Sequence, residues 1–446
     1  MFDGADLSIR PVLRFGGTHP QYRWLDFGHV EIVPQPQGGS GTMLFAKLLK
    51  RIIRKGALRL TDADGHVHRF GGVEPGPVSA IRLHDRRLHS RLALNPRLYI
   101  GEAYMDGTLT IEEGTLRDFF DLVGVNAEAF EGSPWQAFFD RMVQLGRPLQ
   151  QFNPLPRSRR NVAHHYDLSD RLYELFLDKD QQYSCAYFRS DNESLEVAQE
   201  NKKRHIAAKL LLEPGQRVLD IGCGWGGMAL HLAKEADCDV TGITLSERQH
   251  AVATRRAEEA GLSHRVRFHL RDYREETERY DRIVSVGMFE HVGALHHRQF
   301  FAKVKELLAD DGVALLHSIG RMEPPGSTNA WIRKYIFPGG YSPALSETLA
   351  AVERTGLWVT DMEILRLHYA KTLAEWKRRF DQNREEILRL YDERFVRMWE
   401  FYLLACESSF LYWRQMVFQL QLSKKLNAVP LTRDYMVDRE RERMAA

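Results

Sequence analysis

The fold of this 446-residue chain is decided by the stretch Val218-Leu219-Asp220-Ile221-Gly222-Cys223-Gly224-Trp225-Gly226-Gly227. Its apolar start predicts a strand, and residues 222–227, called the glycine turn below, predict a tight turn into a helix over 228–235. Glycine reaches positive φ and has no Cβ, so backbone N–H groups can approach a ligand beside the partly positive helix N-terminus. The stretch therefore predicts a strand, a turn and a helix that bind a nucleotide-like ligand.

The residues around the glycine turn help to choose between ligands. The turn also fits the Gly-x-Gly-x-x-Gly pattern of dinucleotide sites, which requires a strand-end acid about twenty residues later. The next predicted strand, Cys238 to Thr244, ends without an acid, whereas Asp220 stands directly before the glycines. This pattern favours S-adenosylmethionine over a dinucleotide, and a turn that serves only the backbone is the alternative.

Composition excludes several classes of protein. The length predicts two domains, and a net charge of +2 with 27% charged residues indicates no nucleic-acid partner. The four cysteines are widely separated and match no zinc spacing, so we expect free thiols in a reducing compartment and no metal. No secretory signal or long apolar run stands out. We therefore expect a cytoplasmic protein whose contact with the inner face of the membrane is peripheral.

The order of predicted elements divides the chain. We expect a small N-terminal α+β lipid-interaction domain over 1–145, a linker over 146–160, a catalytic domain over 161–425 and a fraying charged tail over 426–446. Strands are predicted near 217–221, 239–244, 265–270, 281–287 and 312–319, with helices between them and a long helical pattern from Thr372 through Leu422. This alternation is typical of an α/β, doubly wound parallel sheet.

Six separated motifs carry a family resemblance. They are the glycine turn, 165–169 (HYDLS), 183–188 (YSCAYF), 285–293 (SVGMFEHVG), 336–341 (IFPGGY) and 368–373 (HYAKTL). Together they resemble the cyclopropane-fatty-acyl-phospholipid synthase family over about 160–425. The resemblance implies a Rossmann-like class I methyltransferase fold. It also implies methylene transfer from S-adenosylmethionine to the cis double bond of a membrane phospholipid acyl chain, with bound bicarbonate as the base.

The resemblance also implies the residues of the site. Glu290, His317 and Tyr369 would hold bicarbonate through their side chains, and Cys185 and Ile319 through their backbones. The cofactor would contact Tyr183, Ser184, Gly222, Gly224, Thr244, Leu245, Gln249, Tyr273 and Arg274, with Asp220 fixing the glycine turn. The alternatives are a structural strand-end role for His317 and a helix N-terminal role for Glu290.

A cysteine and several aromatic residues were assigned to the same site. Cys406 shares a helical face with Tyr402 and Phe410, and we expect it near the pocket but not as a covalent nucleophile. A carbocation needs a dry pocket with aromatic faces. The candidates for that pocket are Tyr166, Tyr183, Tyr187, Phe188, Phe289, Tyr341 and Tyr369, with Tyr183 and Tyr369 favoured.

Membrane contact and assembly are further expectations. The segment 43–55 places Leu44, Phe45, Leu48, Leu49, Ile52 and Ile53 opposite several cations, which is typical of an interfacial helix on anionic lipid. A helix packed on its own domain fits the same pattern. Arg157, Arg159 and Arg160 form a second basic cluster, with a solvated linker as its alternative, and the resemblance implies a homodimer.

The sequence leaves three other functions open. The first is a C-methyltransferase that leaves a methyl branch or an exocyclic methylene on the acyl chain, because Phe188 stands where many family members have Trp. The second is a methyltransferase for a soluble molecule. The third is a catalytically inactive lipid-binding protein, which the intact motifs disfavour.

Overall fold

The computed structural model describes residues 40–72, 74–131 and 168–445. These described residues belong to one compact unit. The predictions for the first 39 residues, for the linker with Arg157, Arg159 and Arg160, and for Tyr166 lie outside the described residues. Among the helices of the described part, none is long and apolar enough to span a bilayer.

The N-terminal part folds around a small four-stranded sheet. Its elements are α1 (Ser40–Ile52), β1 (Lys55–Thr61), β2 (Val67–Gly71), β3 (Glu74–Leu83), α2 (Leu88–Leu94), α3 (Pro96–Met105), β4 (Leu109–Glu113), α4 (Leu116–Val125) and α5 (Ala127–Glu131). The strand order is β2-β1-β3-β4, with β1 and β3 parallel and the other pairs antiparallel. This is the predicted α+β region.

Helix α1 differs from the interfacial helix that its sequence predicts. Phe45, Ile52 and Ile53 are buried in the protein core, and Leu48 and Leu49 pack against it. Because these side chains are already withdrawn from water, the apolar face is not free to enter a lipid surface. The alternative, a helix packed on its own domain, is therefore correct for this face.

The remaining chain builds a seven-stranded sheet with flanking helices. Its strands are β5 (Arg217–Ile221), β6 (Asp239–Thr244), β7 (Val266–Leu270), β8 (Tyr280–Val286), β9 (Leu308–Arg321), β10 (Trp358–Ile364) and β11 (Gln415–Ser423). Its helices are α6 (Asp170–Phe176), α7 (Leu195–Lys209), α8 (Gly227–Ala236), α9 (Glu247–Glu259), α10 (His297–Leu307), α11 (Ala330–Tyr335), α12 (Leu345–Glu353), α13 (His368–Gln382), α14 (Arg384–Leu390), α15 (Glu393–Tyr412) and α16 (Asp434–Ala445). Short 3₁₀ turns cover Tyr273–Glu275, Phe289–His291 and Ala294–His296.

The sheet order is β7-β6-β5-β8-β9-β11-β10. The five strands predicted from the sequence form its parallel part, and β11 and β10 extend it antiparallel. Apolar side chains alternate between two clusters on the two faces of the sheet, for example Val218 on one and Leu219 on the other. The order reverses between β5 and β8, so the ligand crevice is expected at the carboxyl ends of these strands. The predicted doubly wound fold is confirmed.

The C-terminal third departs from the prediction. The long helical pattern through Leu422 is wrong at its end, because α15 stops at Tyr412, Arg414 takes a left-handed φ of +53° and β11 follows. The charged tail does not fray throughout either. It contains α16, whose Arg439 donates to the Leu212 carbonyl at 3.0 Å.

Candidate active site

A first cavity, called the glycine-turn cavity, opens at the carboxyl ends of β5, β6 and β8. All nine residues predicted to contact the cofactor line it: Tyr183, Ser184, Gly222, Gly224, Thr244, Leu245, Gln249, Tyr273 and Arg274. Gln182, Asp220 and His291 also line it, although the sequence did not assign them to the cofactor. The topology thus brings residues from five separate chain segments to one wall.

The glycine turn supplies a backbone surface to this cavity. Gly222 has a φ of +83°, and a Cβ there would lie 2.7 Å from the Met288 side chain. Its N–H group and that of Cys223 both donate to the Ile243 carbonyl, at 2.9 and 3.0 Å, which ties the turn to β6. Gly224 has a φ of +55° and nothing within 4 Å of the Cβ position. The turn is therefore shaped for close approach of a ligand to the main chain.

Asp220 presents a buried carboxylate to the same cavity. Its Oδ2 is buried and has no hydrogen-bond partner among the described residues. Burial raises the pKa of this carboxyl to about 7, and the Lys202 ammonium opposes that rise. A buried acceptor of this kind is stabilised when a ligand donates to it. Asp220 therefore has a place in the cavity wall beside its predicted role of fixing the glycine turn.

The extended segment 182–185 covers the cavity and is anchored to α7. The Gln199 amide donates to the carbonyls of Gln182 and Ser184 at 3.1 and 3.0 Å. The Lys202 ammonium donates to Gln182 Oε1 at 2.6 Å and to Ser184 Oγ at 2.8 Å. Burial lowers the pKa of Lys202 to about 8. These bonds fix an irregular segment that has no strand partner of its own.

Side-chain pairs fix the part of the glycine-turn cavity that residues 244–249 and 272–274 form. Thr244 Oγ1 donates to Gln249 Oε1 at 3.0 Å, so the Gln249 amide NH₂ is the group that remains to donate elsewhere. The Asp272 carboxylate accepts from Arg274 Nε and Nη2 at 2.8 and 2.7 Å. The Arg274 guanidinium lies 5.5 Å from the centre of the Tyr273 ring. This end therefore presents amide and aromatic groups, which suit a ribose and an adenine.

A second cavity adjoins the first and is called the Glu290 cavity. Five of the six predicted catalytic residues line it: Cys185, Glu290, His317, Ile319 and Tyr369. The two cavities share four wall residues, which are Tyr183, Ser184, Gly287 and His291. The two cavities are therefore direct neighbours that share this wall.

Glu290 follows β8 in a 3₁₀ turn and is buried. Its Oε1 accepts from the Ile319 N–H at 2.6 Å, while Oε2 is buried without a hydrogen-bond partner among the described residues. The neighbouring Ser318 hydroxyl donates to the Ile319 carbonyl at 2.9 Å. Burial raises the pKa of the Glu290 carboxyl to about 7. The group can therefore gain or lose a proton near neutral pH.

The backbone of Ile319 lines the Glu290 cavity and is bonded to Glu290. Its N–H donates to the Glu290 carboxylate and so orients it, as expected where a buried carboxylate lies near a backbone donor. The contact of an anion with the Ile319 backbone stays a prediction.

The two histidines of the site are neutral. Burial lowers the pKa of His317 well below its usual range, with nearby Lys202 and Lys209 adding to the effect. Burial lowers the pKa of His291 to about 4. His291 has no role in the sequence-based prediction, although its position next to Glu290 in the motif 285–293 was a usable signal.

Aromatic side chains cover part of the Glu290 cavity. Tyr369 packs at 4.8 Å from Phe410, measured between ring centres, and the hydroxyl groups of Tyr183 and Tyr402 lie 2.8 Å apart. Tyr183, Tyr341 and Tyr369 line the cavity, together with Phe337, which was not predicted individually.

Three of the predicted aromatic residues lie elsewhere. Tyr187 stacks between His205 and His368, Phe188 packs near His368, and Phe289 is buried against α10. None of the three lines either cavity. Their motifs are correctly placed, but a motif does not specify which of its side chains face inward.

Cys406 lies beside the site and not in its wall. It is on α15 with Tyr402 and Phe410, as predicted, but lines neither cavity. Burial raises the pKa of its thiol to about 12, so it is a poor nucleophile at neutral pH. Burial likewise raises the pKa of Cys185, whose Sγ lies 3.3 Å from the Ala186 carbonyl oxygen.

Comparison with known families gives two matches. Residues 154–420 match the family described as mycolic acid cyclopropane synthetase. Residues 44–133 match a separate domain of unknown function. The first match covers more than half of the chain and contains every residue of both cavities.

Individual relatives cover most of the chain. A probable fatty acid methyltransferase of Pseudomonas putida is 36% identical over 361 residues, which is 79% of this chain and 88% of the relative. A cyclopropane-fatty-acyl-phospholipid synthase of Escherichia coli strain K12 is 38% identical over 330 residues, 74% of this chain and 84% of the relative.

A solved structure is also similar to this chain. The mycolic acid cyclopropane synthase CmaA1, complexed with SAH and CTAB, is 34% identical with a TM-score of 0.57. The alignment covers 61% of this chain and 99% of that structure. The similarity therefore falls on the part of the chain that contains the large sheet.

Proposed function

The chain belongs to the mycolic acid cyclopropane synthetase family of S-adenosylmethionine-dependent methyltransferases, and from this premise we propose its reaction. It transfers a methylene unit from S-adenosylmethionine to the cis double bond of an unsaturated phospholipid acyl chain, leaving a cyclopropane ring. The observation that carries the proposal is the wall of Tyr183, Ser184, Gly287 and His291 shared by the two cavities.

The glycine-turn cavity fits the methyl donor. The donor supplies an electrophilic methyl group on a sulfonium when it is bound. The glycine turn offers its backbone to the ligand, the unpartnered Oδ2 of Asp220 can accept from it, and the Gln249 amide can donate to a ribose hydroxyl. Ser184, fixed by Gln199 and Lys202, and Tyr183, whose hydroxyl pairs with that of Tyr402, would orient the reacting end towards the second cavity.

The Glu290 cavity suits an alkene. A double bond is a weak nucleophile and must be held in line with the methyl group. Formation of the new C–C bond breaks the bond from sulfur to methyl and leaves a positive charge on the acyl chain. Tyr369 and Tyr183 can stabilise that charge with their ring faces, and the apolar Ile332, Phe337 and Val417 exclude water.

A proton must then leave the new methyl group so that the ring can close. Bicarbonate would supply the base when bound, and the groups of this cavity fit it. Neutral His317 and the Tyr369 hydroxyl are potential donors to an oxyanion, while the unpartnered Oε2 of Glu290 can accept a hydroxyl proton. Cys185 completes this wall.

A second reaction on the same acyl chain is favoured by one observation. The Pseudomonas putida relative is described as a probable fatty acid methyltransferase. If the proton leaves from a neighbouring chain carbon, the product is a methyl-branched alkene. If a hydride shift first moves the charge to the carbon that carries the new methyl group, loss of a methyl proton leaves an exocyclic methylene instead of a ring. Phe188 does not separate these outcomes, because its side chain lines neither cavity.

The wider setting follows from the substrate. We propose peripheral contact with the inner membrane surface from the cytoplasm through the exposed cations of α1, which are Lys47, Lys50, Arg51 and also Arg54 after the helix end. The domain division at 146–160 and a homodimer are part of the same proposal.

The Tyr369→Phe variant tests the role of the second cavity. We expect turnover on monounsaturated vesicles to fall about 100-fold, with calorimetric affinity for S-adenosylmethionine changed less than twofold. Tyr187→Phe is the matched control, because Tyr187 lies outside both cavities, and it should retain turnover. Equal loss of turnover and cofactor affinity in Tyr369→Phe would contradict the role and indicate a structural one.

A further inference from the structure

Three polar residues stand side by side on neighbouring strands behind the Glu290 cavity. Gln419 of β11 is the direct register partner of His317 of β9, and Glu363 of β10 is the register partner of Gln419. Residues that are opposite each other in a sheet project from the same face. His317 lines the cavity, so this row leads from the cavity towards the outer edge of the sheet.

Lys209, at the end of α7, contacts two members of this row. Its Nζ donates to Gln419 Oε1 at 2.8 Å and forms an ion pair with Glu363. Lys209 and Gln419 are each 1% exposed, so their contact is shielded from bulk solvent, whereas Glu363 is partly exposed. Glu363 also bonds His205 Nε2 at 2.7 Å. Lys209 is therefore held by several contacts, and these keep its hydrogen bond to the Gln419 amide oxygen in place.

The lysine determines which way the Gln419 amide points. A lysine ammonium donates and never accepts, so the Gln419 oxygen must face it. The amide nitrogen then faces the other way, where Gln419 Nε2 lies 3.1 Å from His317 Nδ1. An amide nitrogen also only donates, so His317 Nδ1 must accept and carries no proton.

We propose that Gln419 is a positioning residue that, oriented by Lys209, fixes His317 in the tautomer with its proton on Nε2. In a neutral ring, Nε2 is then the only nitrogen that can bond a group in the cavity, and it does so as a donor. His317 therefore binds an acceptor, such as an oxyanion, and does not act as the base. The catalytic meaning rests on the proposed function, whereas the tautomer itself does not.

Imidazole nitrogen NMR tests the tautomer directly on the full-length protein labelled with ¹⁵N-histidine. The signal of His317 is assigned by its loss in His317→Asn. We expect a protonated-type shift at Nε2 and an unprotonated-type shift at Nδ1. The opposite pattern, or an averaged one, would overturn the proposal without any variant of Gln419.

The Gln419→Glu variant then tests positioning. The carboxylate keeps a partner in Lys209 but accepts from Nδ1–H, so the proton should move to Nδ1. Turnover on lipid vesicles should fall about 100-fold while affinity for S-adenosylmethionine stays within twofold. Gln421→Glu is the matched control, because Gln421 is equally buried on the same strand and bonds the Lys209 carbonyl and Tyr435 but not His317.

Each outcome has a defined meaning. The proposal is supported if the His317 proton moves to Nδ1 and turnover is lost in Gln419→Glu, while Gln421→Glu shows neither change. The positioning role is overturned if the proton of Gln419→Glu stays on Nε2, or if it moves and turnover is unchanged. If the unaltered protein makes no lipid product at all, the proposed function fails, yet the ring-nitrogen shifts still decide the tautomer.

Discussion

Two buried carboxyl groups, Asp220 and Glu290, stand one in each cavity. Each has a pKa raised to about 7 by burial and one oxygen without a hydrogen-bond partner among the described residues. Their surroundings differ, since Lys202 acts on Asp220 whereas Glu290 is held by the Ile319 N–H. Strongly shifted carboxyl groups in a cleft indicate functional roles. We therefore assign Asp220 to ligand binding and Glu290 to accepting and releasing a proton.

The Glu290→Gln variant tests whether the Glu290 carboxylate accepts a proton during the reaction. The amide oxygen can still accept from Ile319, but the side chain can no longer take a proton. We expect turnover to fall by about 10²- to 10⁴-fold, with calorimetric affinity for S-adenosylmethionine nearly unchanged. Glu347→Gln is the control, because Glu347 accepts from the Tyr341 hydroxyl at 2.5 Å but lines neither cavity. Parallel loss in both variants would argue for a structural effect.

The raised pKa of Glu290 also predicts a pH dependence. The ionised carboxylate accepts the proton, so kcat at saturating S-adenosylmethionine should rise with pH through about 7. Neutral His291 and His317 add no charge change there, whereas Asp220, whose pKa is also raised to about 7, would affect kcat/KM through cofactor binding. The sign for stability is opposite. Because the folded protein favours the protonated acid above its ordinary pKa of 4.5, this group's contribution to the free energy of unfolding falls between pH 4.5 and about 7. The rising limb should be absent in Glu290→Gln, and its persistence would contradict the assignment.

At the scale of elements, the strand, turn and helix around Gly222 were predictable because local sequence determines them. An apolar run, a series of glycines and a helix leave few other conformations. β11 was missed because it follows α15 after a single left-handed residue. The alternation of Phe418, Gln419, Leu420, Gln421 and Leu422 was nevertheless a signal for a strand with two different faces.

Gly222→Ala tests the glycine turn. The new Cβ would lie 2.7 Å from Met288, and the φ of +83° costs about 1 kcal/mol for a non-glycine residue. We expect at least a tenfold loss of affinity for S-adenosylmethionine by calorimetry. Gly215→Ala is the control, because its φ of +78° imposes the same strain with nothing within 4 Å of the Cβ. It should lower Tm but retain affinity, and equal losses would show that backbone strain alone is responsible.

At the scale of the whole molecule, the N-terminal part is packed against the helix beside the site. Arg117 Nη2 donates to Glu407 Oε2 of α15 at 2.8 Å, and the Tyr104 hydroxyl donates to Glu400 at 2.8 Å. α15 also carries Tyr402, which bonds Tyr183 at the cavity. Fourteen of the fifteen site residues predicted from the sequence line the two cavities, but the sequence did not predict these long-range contacts. Long-range packing and the direction of individual side chains depend on the assembled fold.

Membrane contact through α1 is now expected to be electrostatic. Replacing Lys50, Arg51 and Arg54 by Glu should weaken binding to anionic vesicles about 100-fold at low salt and raise the apparent KM, since each cation contributes about 1 kcal/mol. Sedimentation with vesicles measures the affinity. The control replaces Lys234, Arg255 and Arg279, which are exposed cations of the large-sheet region, with the same change in net charge. An unchanged, salt-sensitive affinity of the α1 variant would rule out docking through this face.

The central claim concerns the product, and mass spectrometry tests it most directly. Vesicles of monounsaturated phospholipid are incubated with the purified protein and methyl-labelled S-adenosylmethionine, and the fatty acids are degraded to locate the new carbon. We expect a gain of one methylene, present as a ring at the former double bond. A methyl branch or an exocyclic methylene would contradict the ring and select the C-methyltransferase, and unchanged fatty acids would contradict a lipid substrate.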